Sequence, residues 1–173
     1  MSAFIAIGAV ARILIGNLAL ESPAPVFGIF IKIGLTETLT FISGFVFGPG
    51  VGFLTGALII VTSDLYMLPG PWTPFIAAII GVFGIGAGII RRYIDHPSPL
   101  TLGLCAALLT ILSETLQNSW VALFYGVPMV ATMITGLPSL VTALANNVIL
   151  IGTAGPRVIK LVQGATDRSS STP

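Results

Sequence analysis

Charge is what this chain lacks most: Asp, Glu, Lys and Arg make up 8% of its 173 residues, where a water-soluble domain carries about a quarter. Seven basic and six acidic residues leave a net charge of +1. No basic face or arm is present to follow a phosphate backbone, which argues against nucleic acid as a partner. Cysteine is nearly absent as well. Cys105 stands in an apolar run without a second thiol, so an intrachain disulfide and a Cys-rich metal site are both excluded, and it reads as a small packing residue. The one histidine, His96, follows Asp95 in a polar stretch. With it goes any Ser–His pair within an apolar segment and any HExxH zinc motif. A Walker A lysine is missing, and "GVFGIGAG" (81–88) lies inside an apolar run rather than between a strand and a helix. The expectation is therefore no enzyme, no metal and no cofactor.

What the chain does have is oil. Hydrophobic residues are 55% of it and the mean hydropathy is +1.04, values of an integral membrane protein in the cell membrane. The N-terminal segment has neither a basic n-region nor a small-residue cleavage site before a polar domain, and reads as the first span. Spanning helices need about 20 apolar residues, and lipid tolerates no unpaired backbone, so Pro, Gly and charge mark the breaks. These divide the chain into an all-α, compact, multi-pass bundle of about six transmembrane helices. The predicted spans are residues 3–20, 27–47, 51–66, 73–90 and 99–125, with a sixth following "GVPMVATMITGLP" (126–138) and continuing to about Gln163. Residues 1–163 form the bundle, and 164–173, "GATDRSSSTP", have the composition of a disordered cytoplasmic tail. Basic residues are retained on the cytoplasmic side. Arg91 and Arg92 follow the fourth span, and Arg157, Lys160 and Arg168 end the sixth; the breaks after spans one, three and five have neither Lys nor Arg. Both termini are thus predicted cytoplasmic, with "MLPGPWTP" (67–74) external.

Ionisable residues inside spans cost about 3 kcal/mol each at a helix centre, so each calls for a reason. They are Arg12, Lys32, Glu37, Asp64 and Glu114. In the fifth span Thr110, Glu114, Gln117 with Asn118, and Tyr125 recur at three-to-four spacing and line one face. Ser139, Thr142 and Asn146, with Asn147 beside them, make a second polar stripe in the sixth. Two such stripes, opening toward a side where Tyr66, Trp72 and Tyr125 gather, predict a cavity for a partly polar, partly planar molecule entering from outside. Asp64 joins this group at the external end of span three. Plainer roles stand beside these. Tyr66 and Trp72 suit interfacial anchors, Asp64 a helix end at the water boundary, and Gln117, Asn146 and Asn147 interhelical hydrogen bonds. Glu114 suits pairing with Lys32 or Arg12, and Arg12 suits snorkelling or a partner within the bundle.

Glycines in "GPGVGFLTG" (48–56) predict a tight connection and close approach of helices two and three; Gly81, Gly84, Gly86 and Gly88 do the same in span four. Span one carries small residues: Ser2 and Ala6 four apart, and Ala3, Ala6 and Ala9 three apart, a flat face able to hold another helix.

Taken together, the tight "GPGVGFLTGAL" connection, "SDLYMLPGPWTPF" followed by a Gly-rich span, and "NNVILIGTAGPRVIKLV" resemble the substrate-binding S component of energy-coupling factor transporters. The resemblance covers about residues 3–163. It implies a small bundle that captures a vitamin or related micronutrient from outside, then joins a transmembrane coupling protein and two cytoplasmic ATPases. In that family the ligand sits in the external half between helices four to six, under the loops after helices one, three and five. Here these are 21–26, 67–74 and 126–137. Helix one of the family docks the coupling protein through an Ala-xxx-Ala face; Ser2 with Ala6 has the spacing, and Ala3 and Ala9 add small residues. "GPWTP" is similar to a run in S components grouped with cobalamin-type cargo. Two further readings remain open on the residues alone: a proton-coupled secondary carrier using Glu37, Asp64 and Glu114, and a non-transporting assembly subunit.

Overall fold

The computed structural model describes residues 1–17, 34–94 and 97–170. The predicted loop over 21–26, together with Lys32, Asp95 and His96, lies outside the described residues. Seven helices follow in order: α1 (Ser2–Asn17), α2 (Leu35–Phe47), α3 (Pro49–Met67), α4 (Thr73–Ile90), α5 (Pro99–Tyr125), α6 (Met129–Ile149) and α7 (Gly155–Ser170). No strand occurs among the described residues. The chain is an all-α protein in which four helical stretches, Pro49–Met67, Thr73–Tyr93, Pro99–Tyr125 and Met129–Val162, are long and apolar enough to cross a membrane. The helices at Ser2–Ile15 and Leu35–Phe47 are shorter.

Proline and glycine set most of the boundaries. Pro49, Pro74 and Pro99 each sit in a first helical turn, where a missing N–H leaves no bond unmade. Gly48 alone separates α2 from α3, at φ 98° and ψ 169°, a backbone that a side chain would strain. Ser98 caps α5 by accepting from the Thr101 N–H at 3.1 Å, and Gly126 ends it in the left-handed conformation.

α2 lies at the centre, against α1, α3, α4 and α7. Phe41, Ile42 and Phe45 on α2 form the main core with Phe83 and Ala87 of α4, Leu102, Ala106 and Leu109 of α5, and Ile151 and Ile159. Next to it α2, α3 and α4 meet backbone to backbone. A Cβ on Gly44 would stand 2.2 Å from the Gly84 carbonyl oxygen, and one on Gly52 would stand 2.6 Å from the Gly44 Cα. Gly44 is the member of this crossing that the sequence reading passed over.

Packing fixes the two ends of the bundle. Phe4 meets Phe47 edge-on at 6.3 Å, Arg91 lies over the Phe45 ring at 5.6 Å, and a Cβ on Gly152 would touch the Pro99 carbonyl oxygen at 3.2 Å. The chain's first residues, the α2–α3 turn, Arg91 and the start of α7 therefore share one end. Arg91 and Arg92 thus stand at the same end as Arg157 and Lys160 near the start of α7.

Three boundaries differ from the sequence reading. The segment 126–138 is mostly helix: only Gly126 to Pro128 turns, and α6 starts at Met129 with Pro138 inside it. The backbone stays helical through the proline; near it the hydroxyls of Thr132 and Thr135 donate to the carbonyls of Met129 and Ala131, and Thr142 to that of Pro138. Farther on, Leu150–Ala154 widens into a π turn. Pro156 is the cause, since it has no N–H for the Gly152 carbonyl and its ring would press on it. Finally, α7 continues through Ser170 into the stretch 164–173 that the sequence reads as a tail, from a helix anchored by buried Ile159; residues 171–173 lie outside the described residues.

Candidate functional site

Two polar constructions lie away from the end that holds Arg91 and the start of α7. The first closes the turn between α3 and α4. Arg12 of α1 forms an ion pair with Asp64 near the end of α3 and donates to Ser63 Oγ at 2.5 Å. Ser63 donates in turn to the carbonyls of Ile59 and Ile60. The other Asp64 oxygen accepts from Thr73 Oγ1, the first residue of α4, at 2.6 Å. Thr73 Oγ1 accepts from the Gly70 N–H at 3.1 Å. Asp64 is 1% exposed. It neither ends its helix at water nor faces a mouth, because one carboxylate ties three helices together and a buried charge requires such a partner. The pairing of Arg12 also settles on Asp64 rather than Glu114.

On the turn itself, Trp72 is half-buried with its ring over Gly70, whose Cβ would fall 2.4 Å from the indole. The Trp72 Nε1 is buried and meets no acceptor among the described residues. Tyr66 is exposed. The rings that do gather are others: Trp120 lies 5.2 Å from Phe75 and 5.0 Å from Phe124, and Phe124 lies 5.0 Å from Tyr125. Of the three aromatics expected together, only Tyr125 belongs to this group. Trp120 was missed because it stands off the polar stripe of α5, and its main partner, Phe75, comes from the start of α4.

The second construction is a polar seam between α5 and α6. Thr110 and Glu114 are buried on α5. Asn147, 1% exposed, donates from Nδ2 to Thr110 Oγ1 at 3.0 Å. Ser139 Oγ donates to Glu114 Oε2 at 3.2 Å. One turn farther along α5, Asn118 presses on Gly136, where a Cβ would fall 2.6 Å from the amide. The predicted stripes on α5 and α6 thus face each other. Gln117 and Thr142 bond to carbonyls of their own helices, and Asn146 is half-buried beside Asn147. Asn147 Oδ1 lies against the backbone of Gly34 at the head of α2 and meets no donor among the described residues. The same holds for Thr38 Oγ1, one helical turn along α2 from Gly34. Buried Glu37 stands next to Thr38 in sequence.

Chemically, the seam offers amides, hydroxyls and a carboxylate for hydrogen bonds, and the ring cluster offers apolar faces nearby. On α1, Ser2, Ala3 and Ala6 are exposed, whereas Ala9 is 3% exposed and turned into the bundle. The helix periodicity places Ala9 with Gly8, which lies against Ile59, so Ala9 leaves the candidate docking face.

Comparison with known proteins yields one distant relative. The chain is 33% identical over 88 residues to a UPF0397 protein of Streptococcus gordonii. That stretch is 51% of this chain and 45% of the relative, so the match spans about half of each. No protein-family model matches the chain, and no solved structure matches it.

Proposed function

We propose that this membrane protein is the substrate-capture subunit of an ATP-driven importer of the energy-coupling factor type, taking up a vitamin or related micronutrient from outside. The observation that carries the reading is the α5–α6 seam, where Thr110, Glu114 and Asn118 face Asn147, Ser139 and Gly136. Polar groups in lipid are costly unless they serve packing or a ligand. Packing accounts for the Asn147–Thr110 bond. It leaves the buried Asn147 Oδ1 and Thr38 Oγ1 without partners among the described residues, two groups that a solute's donors could satisfy.

On this reading the end of the bundle opposite Arg91 and Arg92 faces outside, since basic residues are retained on the cytoplasmic side. There the rings of Phe75, Trp120, Phe124 and Tyr125 supply faces for a planar group. The resemblance of "SDLYMLPGPWTPF" and its flanking spans to S components supports the same assignment, with cobalamin-like cargo as the first to try. A transmembrane coupling protein would then seat on the exposed small residues Ser2, Ala3 and Ala6, and ATP would be hydrolysed by separate cytoplasmic subunits. Purified protein is expected to bind a micronutrient at about one per chain, with ligand raising thermal stability by mass action. Asn118→Ala should weaken that binding. Uptake by the chain alone in liposomes, driven by a pH gradient, would instead support a proton-coupled carrier.

A further inference from the structure

The α3–α4 turn carries two costs that its own residues do not explain. Leu68 sits at φ 78°, the only non-glycine residue with positive φ among those described. A branched side chain in that region strains the backbone. Two residues on, the turn folds Trp72 over Gly70 and buries an indole N–H with no acceptor among the described residues. Left to itself, such a turn would relax by letting Leu68 return to negative φ and the indole reach water. What holds it is the chain of bonds from Arg12 to Asp64 to Thr73, with Thr73 gripping Gly70 through both its hydroxyl and its N–H.

We infer that this chain is a latch through which the position of α1 sets the conformation of the Leu68–Trp72 turn. Arg12 is the only link in it supplied by α1. On the outer face of α1, Ile7, Val10 and Leu14 are exposed beside Ala6, with no helix over them among the described residues. A partner that draws α1 away from α3 separates Arg12 from Asp64, loosens the carboxylate's hold on Thr73, and lets the strained turn spring open. Conversely, a closed turn keeps Asp64 placed to hold α1. The two states are coupled reciprocally, as any linked pair of equilibria must be. The coupling holds whatever the seam carries.

The test uses Trp72 as its own reporter, in full-length protein carrying Trp120→Phe so that one indole remains. In lipid nanodiscs, Thr73→Val cuts the latch at the turn while leaving the Arg12–Asp64 pair intact. It is expected to red-shift Trp72 emission and to raise acrylamide quenching toward that of an exposed indole. Arg12→Leu should do the same, and the double variant should add nothing beyond either single change, since both break one chain. Adding Leu68→Gly to Thr73→Val removes the strain and should bring quenching back down. A Trp72 that stays equally shielded in folded Thr73→Val protein overturns the latch, and that variant decides the matter even if Arg12→Leu does not fold. Quenching unchanged by Leu68→Gly overturns the spring.

Discussion

Where α2, α3 and α4 cross, three glycines let backbone rest on backbone; where α5 meets α6, amides and hydroxyls lie between the helices. The first region rests backbone on backbone, and its buried ion pair, Arg12–Asp64, is bonded at both carboxylate oxygens; the Ser43 and Thr55 hydroxyls bond each other at 2.7 Å, and Thr40 Oγ1 is the buried atom there that meets no partner among the described residues. The second leaves Asn147 Oδ1 without a donor among the described residues and runs along α6, which carries Pro138 within it and passes into a π turn at Leu150–Ala154. The glycine crossing is built to stay fixed, with the Leu68–Trp72 turn outside it. The seam has groups in waiting and a backbone that can yield, and this division of labour is what a solute-capturing bundle requires.

Substitutions that probe the two halves should differ in kind. Arg12→Leu leaves the buried Asp64 carboxylate unpaired and is expected to cost about 3–5 kcal/mol, the largest effect, read as lost folded yield and a lowered Tm. Gly84→Ala forces a methyl to within 2.4 Å of the Gly52 backbone, which cannot rotate away, and should cost about 1–3 kcal/mol by thermal unfolding. Asn147→Leu removes an interhelical bond to Thr110 and should cost about 1 kcal/mol, while weakening solute binding more than that loss of stability explains. Gly136→Ala is the sharpest contrast with Gly84→Ala. Its methyl meets only the movable end of Asn118, so stability should change by about 0.5 kcal/mol or less, yet the displaced amide should impair binding. If Gly84→Ala and Gly136→Ala prove equally destabilising, the distinction between a fixed and a yielding half fails.

The bundle was legible where its signals are local. Pro99, Gly126, Thr73 and the Arg91–Arg92 pair bound α4 and α5 at the residues where the helices start and stop. The spacing of Thr110, Glu114 and Asn118 showed the polar face of α5 because a helix's period fixes which residues share a side. What the sequence could not reveal depends on partners distant in the chain. Asp64 reads as a helix end until Arg12, from another helix, is found against it. Trp120 carries no signal in the sequence, and only its contact with Phe75, 45 residues away along the chain, places it in the ring cluster. Pro138 reads as a break because a proline removes one helical bond, yet here it lies inside a continuous α6 packed along α5. Ala9 shares a spacing with Ala6, but three residues turn a helix far enough to bury one and expose the other.

The central claim is that the α5–α6 seam holds a solute taken from outside, and a thermal-shift screen of purified protein against vitamins and their precursors, run in parallel on Asn118→Ala, tests it most directly. The account predicts one class of compound that raises the Tm of the wild-type protein in a concentration-dependent way, with that rise much reduced in the variant. A rise of equal size in both proteins, or none for any compound while the protein stays folded, would contradict it.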